Sequence, residues 1–322
     1  MSEVKANNIL RQANNSVVLE GVLKEKKIMD LKTRDGSKAL SGSLTVVTGE
    51  NSEHVIAVSY SSEFKKGDGK HPPEKNSAYA GIARIRDEYV SVADLMQQGK
   101  SYAEAMNGAT KIRVTLGRLE LNDYYADHGN GQLISTPRIA SAYFHRVPDS
   151  EFKMRSPHFD VECFIDKMIP EVVNDEETGR LIMQVVIPAY KGNVYPMTFV
   201  TTKEAGAYIS NNYEPHRTCR VYGEVINTVK TVETRKAGFI KEEVETQTTR
   251  VSELLVDNGD PSVYDEDDKR SFALADIQAA MRVRETEMLP NLKERSLNRA
   301  AASSPAGFAS TPVIPSAEPF HY

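Results

Sequence analysis

Cations and flat side chains stand next to one another at several places in this chain, and that pairing is the chemistry it offers. Lys24, Lys26, Lys27, Lys32 and Arg34, followed by Lys38, crowd one loop, diluted by Glu25, Asp30 and Asp35. Tyr60 and Phe64 run into Lys65 and Lys66. Tyr124 and Tyr125 lie between Arg118 and Arg138. Tyr190 adjoins Lys191, and the segment Thr234 to Phe239 holds Arg235, Lys236 and Phe239. A cation meets a phosphate by charge, and a flat ring stacks on a base at roughly 1–3 kcal/mol. The two side by side suit a polyanion with unpaired bases. Neighbouring residues of a strand point to opposite faces, so one of Tyr124 and Tyr125 is expected at the surface.

Covalent chemistry finds little support. The chain has no phosphate-cradling glycine loop, no dinucleotide fingerprint and no Gly-x-Ser-x-Gly elbow. His54, His71, His128, His145, His158, His216 and His321 are scattered singly. His145 and His158 flank a linker and are expected at the surface or between domains. Cys163 and Cys219 are the only cysteines; they lie in strand-like runs and read as buried thiols of a reducing compartment. Two cysteines without a neighbouring histidine pair do not make a zinc site. No catalytic residue, metal or cofactor is assigned, and the chain is not read as an enzyme.

The elements that must carry the cations and rings read as one module written twice. β-Branched and aromatic runs bounded by turn residues mark strands near 16–24, 39–48, 54–60, 110–121 and 132–145 in the first copy. The second copy has them near 159–169, 180–190, 194–201, 217–232 and 239–256. Turns are expected at Asp35-Gly36, Thr48 to Asn51, His128 to Gly131, Glu177 to Gly179, Lys191 to Asn193 and Ala237-Gly238. Between the third and fourth strands each copy has a non-strand segment. In the second it is short, with a brief helix at Lys203 to Ile209. In the first it is long: a Lys/Gly/Pro-rich stretch from Lys65 to Lys75 reads as mobile, and Ser91 to Met106 has helical spacing interrupted at Gly99. Tyr222, beside Gly223, reads as core.

After Asp257 the texture changes. Asp257 to Pro261 and Asp265 to Asp268 read as an acidic linker. Ser271 to Leu289 reads as one amphipathic helix ended by Pro290, and the Ala/Ser/Pro-rich tail from Ala300 as disordered.

The chain has 322 residues, 40% hydrophobic and 26% charged, with a net charge of -5. A net negative chain does not coat duplex DNA by bulk attraction. The first 150 residues hold 20 Lys+Arg against 18 Asp+Glu, residues 151–262 hold 13 against 18, and the remainder 7 against 9. A polyanion is therefore expected on the first module. No apolar run approaches the roughly 20 residues of a membrane helix, and the polar stretch Met1 to Asn15 carries no visible secretory signal. The expected location is the cytoplasm, that of a bacterial host if the chain is viral.

Five strands with the only helical element between the third and fourth is the order of an OB-fold, a five-stranded Greek-key barrel. Gly21, Gly117 and Gly223 fit the sharp bends that a small barrel needs. The expected fold is mainly β: two tandem OB barrels, a C-terminal amphipathic helix and a disordered tail. The divisions fall at 1–15 (flexible), 16–150 (first barrel), 151–257 (second barrel), 258–299 (linker and helix) and 300–322 (tail). On the Val-x-x-Gly-Val-Leu opening (Val18 to Leu23), the Arg-Val-x-x-Gly strand (Arg113 to Gly117) and this order, the chain resembles tandem-OB single-stranded DNA-binding proteins of bacterial viruses and mobile elements. It is distantly similar to the replication protein A type. The resemblance implies sequence-independent binding and protection of single-stranded DNA in replication, recombination or repair. It also implies recruitment of protein partners through residues 258–322. The tail differs in that Pro319-Phe320 is followed by His321-Tyr322. Self-association is a further expectation, and an OB-like assembly protein of a virus particle is the alternative.

Overall fold

Apolar residues alternate with polar ones along the first strand, β1 (Asn15–Lys32), so that Val17, Leu19 and Leu23 are buried on one face. The same period runs through β2 (Lys38–Gly49) and β3 (Ser52–Ser61), where Leu40, Leu44, Val46, Ile56 and Val58 are buried. These strands belong to a computed structural model that describes residues 10–33, 36–64, 72–126, 131–236 and 243–303; side chains at 229–236, 243–250 and 299–303 lie outside the description. The Lys65 to Lys75 stretch falls largely outside it too, as do the turns at Asp35, His128 to Asn130 and Ala237-Gly238.

The chain is mainly β. After β3 come the two-residue strands β4 (Glu63–Phe64) and β5 (Glu74–Lys75), then helices α1 (Ser77–Glu88), α2 (Val92–Gln97) and α3 (Tyr102–Gly108). Strands β6 (Lys111–Tyr125), β7 (Leu133–Ala140), β8 (Phe144–Arg146), β9 (Arg155–Val173), β10 (Glu176–Pro188) and β11 (Val194–Thr201) follow. Helix α4 (Lys203–Asn212), β12 (Thr218–Lys236), β13 (Glu243–Gly259), α5 (Leu274–Val283) and α6 (Leu289–Ser303) complete it. Short helices need caps. Asn76, Ser91, Ser101 and Thr202 supply them, Ser91 with Asp94 and Ser101 with Glu104 as reciprocal capping boxes.

Backbone pairing closes two circuits. One runs β1–β2–β3–β7–β6 and back to β1; the other runs β9–β10–β11–β13–β12 and back to β9. All steps are antiparallel except β3–β7 and β11–β13, which are parallel. α1 to α3 fall between the third and fourth strands of the first circuit, α4 between those of the second. The two circuits each close, as the sequence order predicts, but they are not separate. β1 pairs with β9, from Asn15↔Val161 to Glu20↔Arg155, and all the long strands form one eleven-stranded sheet. β1 is long enough to serve β2, β6 and β9 on different stretches, which is what joins the circuits.

Close approach sets two residues. A Cβ at Gly21 would lie 2.2 Å from the Val47 carbonyl oxygen, and one at Gly223 would lie 1.9 Å from that of Leu255. The second circuit is filled by Phe159 stacked on Phe199, centroids 5.3 Å apart, with Cys163 and Cys219 facing each other as free buried thiols. Each such large apolar side chain contributes roughly 1.5–3 kcal/mol by leaving water.

Several elements differ from the sequence expectation. The strand expected at 132–145 breaks at Ser141 to Tyr143, because its second half, β8, pairs with the other end of β6. The turn placed at Glu177 to Gly179 lies at Asn174-Asp175, whose φ angles of 53° and 66° take the left-handed form that asparagine and aspartate tolerate. Helix α1 was unassigned; Ala78, Ile82 and Ile85 bury one face of it. The acidic linker is docked: Tyr264 is buried, its N–H donating to the Thr218 carbonyl at 2.7 Å.

The last helix does not stop at Pro290. α5 passes through a π-helical turn, Arg284–Met288, into α6, which reaches Ser303; residues 304–322 lie outside the description. The π turn resets the hydrogen-bond register, so Pro290 falls in the first turn of α6, where its missing N–H costs little. α5 covers the outer face of β9 to β11. Ile277 and Met281 line a cavity of about 640 Å³ against Phe164, Val186 and Pro196. Among the described residues no helix is long and apolar enough to cross a membrane.

Candidate nucleic-acid interface

Two hairpins wall a groove. One is β6–β7, paired from Arg118↔Ala140 to Tyr125↔Leu133; the other is the longer β12–β13. Its floor includes Gly42 and Ser43 of β2 and Val55 and Ala57 of β3, all small or exposed. Two cavities of about 520 and 460 Å³ share Thr136, Pro137, Arg138, Val225 and Ser252, so they are adjoining stretches of the same groove. The second hairpin is pinned to the first circuit where Asn227 donates to the Glu53 carbonyl at 2.7 Å and Thr228 pairs with Ser52.

The wall formed by β6 and β7 carries the charge. Arg118 Nε donates to Glu120 Oε1 at 2.6 Å. Arg138 reaches Glu120 Oε2 at 3.3 Å and Asn122 Oδ1 at 2.9 Å. Two guanidiniums on one carboxylate leave a unit of positive charge, with N–H donors in the planar fork that suits phosphate oxygens. Tyr60 is hydrogen-bonded to Arg118; burial pushes its phenol pKa up, and the guanidinium offsets this in part. Tyr195 of β11 stands near the same charges, its own phenol raised chiefly by burial.

A family model described as YorF matches residues 13–295. The chain belongs to the YorF family. No curated protein matches it. Among solved structures, this YorF-family chain is similar to a deletion mutant of the single-stranded DNA binding protein from Thermus aquaticus. The identity is 11%, the TM-score 0.46, and the match covers 80% of this chain and 98% of that one. The wild-type protein from Thermus aquaticus is similar at 12% identity and TM-score 0.41, covering 67% and 87%.

The structure brings Tyr60, Arg118 and Arg138 of this YorF chain together and disperses the lysines. Lys26 is a correction: it is a structural cation. Its Nζ donates to the Arg86 and Tyr89 carbonyls at the C-terminal end of α1 and lies 3.2 Å from Asp94. Those carbonyls form the negative end of the helix dipole, which a partly buried ammonium satisfies. Lys24 is paired with Glu53 and Lys27 with Glu25. Lys32 is exposed at the end of β1. Exposed pairs are weak enough to exchange a carboxylate for a phosphate.

Tyr124 is 44% exposed, while Tyr125 is half-buried with the Lys293 ammonium 5.6 Å from its ring centre. Phe64 is exposed on β4. Tyr190 is exposed in the β10–β11 turn, with Lys191 5.4 Å from its ring centre. Arg34, Lys65, Lys66 and Phe239 lie outside the described residues; Arg235 and Lys236 are in β12, their side chains outside the description.

Tyr222 is half-buried and not core. Its hydroxyl donates to Asp260 Oδ1 at 2.9 Å, and Arg220 lies 5.4 Å over its ring. Sequence reasoning gave no groove role to Asn122 or Asn227, both of which line it.

Proposed function

We propose that this chain binds single-stranded DNA with little sequence preference, in the groove between the two hairpins. In this reading each strand circuit is an OB-type barrel, the first spanning 16–150 and the second 151–257. Supporting it are the parallel pairing of the third and fifth strands and the helical element between the third and fourth in both circuits. OB barrels take oligonucleotides on the second and third strands and on the loops that flank them. The observation that carries the proposal is the groove itself. Small residues of β2 and β3 floor it, and Arg138, which shares Glu120 with Arg118, walls it; Tyr124 lies farther along the same hairpin. Phosphates exchange with Glu120 for the two guanidiniums while bases stack on Tyr124. The proposed partners of the bound state are replication, recombination or repair proteins in the cytoplasm, met through residues 258–322.

In the second circuit the outer face of β9 to β11 is covered by α5, so the proposed strand path belongs to the first circuit and the shared groove. Titration of a fluorescent oligo-dT at several salt concentrations, with duplex as competitor, tests the proposal. Preference for the single strand and an affinity falling steeply with salt are expected. Preference for duplex, or binding indifferent to salt, would remove it.

A further inference from the structure

A second pocket shares no residue with the groove. Pairing sets Arg155 of β9 opposite Glu20 of β1, Glu20 opposite Arg113 of β6, and Arg113 opposite His145 of β8. Farther along, His158 of β9 is opposite Val18. Directly opposed residues project from one face of a sheet, so these four strands display a row of basic side chains. Among them lies a cavity of about 350 Å³ lined by Arg113, Thr115, Arg155, Ser156 and His158, over Val18 and Val114.

The polar groups of this cavity are mostly donors, set on a lining whose exposed surface is mainly apolar. Glu20 is its one carboxylate, only 1% exposed, and both its oxygens are spent: Arg113 Nε donates to one at 2.6 Å and the Lys153 N–H to the other at 2.7 Å. Arg113 spends nothing else on Glu20. Its two Nη groups and the whole guanidinium of Arg155 make no hydrogen bond among the described residues. Two guanidiniums face one carboxylate, beside two hydroxyls and an imidazole. Glu224 of β12 is the acid opposite His158 on its other side. A tetrahedral anion satisfies such a wall, because each of its oxygens accepts from several directions and the guanidinium forks match it edge-on.

The geometry points to a phosphate-binding pocket at the seam between the two circuits. Its ligand is a phosphate group from one of two sources: a phosphodiester of a strand running beyond the groove, or the terminal phosphate of a strand or nucleotide. The pocket stands on its own residues, whatever the groove binds.

Thymidine monophosphate titrated into the full chain, followed by phosphorus NMR, reads the pocket directly. Arg155→Glu should weaken that binding about tenfold or more, roughly 1.4 kcal/mol per tenfold. Arg155→Lys should lose part of it. Arg155 and His158 are exposed, so these variants keep the core. Oligo-dT with and without a 5′-phosphate then separates the sources. For a phosphodiester, Arg155→Ala with His158→Ala lowers the salt slope of both oligonucleotides by about 0.7 per lost contact. For a terminal phosphate, only the phosphorylated one is affected. Equal binding of the monophosphate by the wild type and Arg155→Glu would overturn the pocket. Failure of all oligo-dT to bind would instead count against the groove.

Discussion

Arg284 and Asp123 are 161 residues apart in the chain, and their side chains meet at 2.7 and 2.8 Å with 6% and 14% of their surfaces exposed. The pair ties the π-helical turn of the C-terminal helix to the β6–β7 hairpin. Ser135 Oγ donates to the same carboxylate at 2.6 Å, closing it from the other strand of that hairpin. The hairpin that bears Tyr124 is thus held from behind by the last helix.

Removing one partner leaves a buried charge alone. Arg284→Ala should cost roughly 3–5 kcal/mol, the usual range for breaking such a pair. The double variant Arg284→Ala with Asp123→Ala should cost less, since no charge is orphaned. Urea unfolding checks both, and limited proteolysis should find α6 cut first in the single variant.

Acid should loosen the same contact. Burial alone would raise the Asp123 carboxyl; the hydrogen bonds from Arg284 and Ser135 outweigh it, and its pKa lies below the ordinary range. A carboxylate depressed by folding gives stability that is complete above the unfolded pKa, about 3.9. That stability is lost as pH falls through the lower folded value. Between neutrality and about pH 5 this pair should contribute a constant amount. Protease sensitivity of α6 measured down the pH scale should rise only below that.

Gly223→Ala should destabilise by about 1–3 kcal/mol or more, the cost of overpacking. The new methyl group would meet the Leu255 carbonyl oxygen at 1.9 Å and the Phe159 ring at 2.7 Å, and a backbone oxygen cannot rotate away. Thermal melting reads the loss; an unchanged midpoint would show that β12 and β13 separate freely.

Within the proposed interface, Tyr124→Ala should weaken oligo-dT binding by roughly 1–3 kcal/mol, one stacked base. Tyr125→Ala should weaken it less, because Lys293 already covers that ring. Fluorescence anisotropy on the two single variants separates them.

Lys26→Ala should behave differently from Lys32→Ala. The first leaves the carbonyls at the end of α1 unsatisfied and should cost about 1–3 kcal/mol of stability, with the salt slope of binding unchanged. The second should leave stability alone and lower the slope by about 0.7.

Much of the strand framework was legible because burial on one face imposes a period of two, which Val17, Leu19, Ile56 and Val58 display directly. Short-range chemistry held more than was read from it: Ser91 and Asp94, three residues apart, make a cap. What was not legible depends on partners distant in sequence. Lys26 reads as one more solvated cation until α1, some 60 residues later, presents its carbonyls. Pro290 reads as a stop unless the π turn before it is known. Glu120 looks like dilution of a basic strand, yet it is the carboxylate that gathers Arg118 and Arg138. The joining of the circuits was hidden for the same reason, since nothing local in β1 tells which of three neighbours it will serve.

That joining by β1 has a thermodynamic consequence. Melting either half strips hydrogen-bond partners from the other, so the two cannot come apart independently, and calorimetry should record a single cooperative transition. It also denies the halves any hinge: a ligand lying across both meets a surface already set, with no reorientation entropy left to lose.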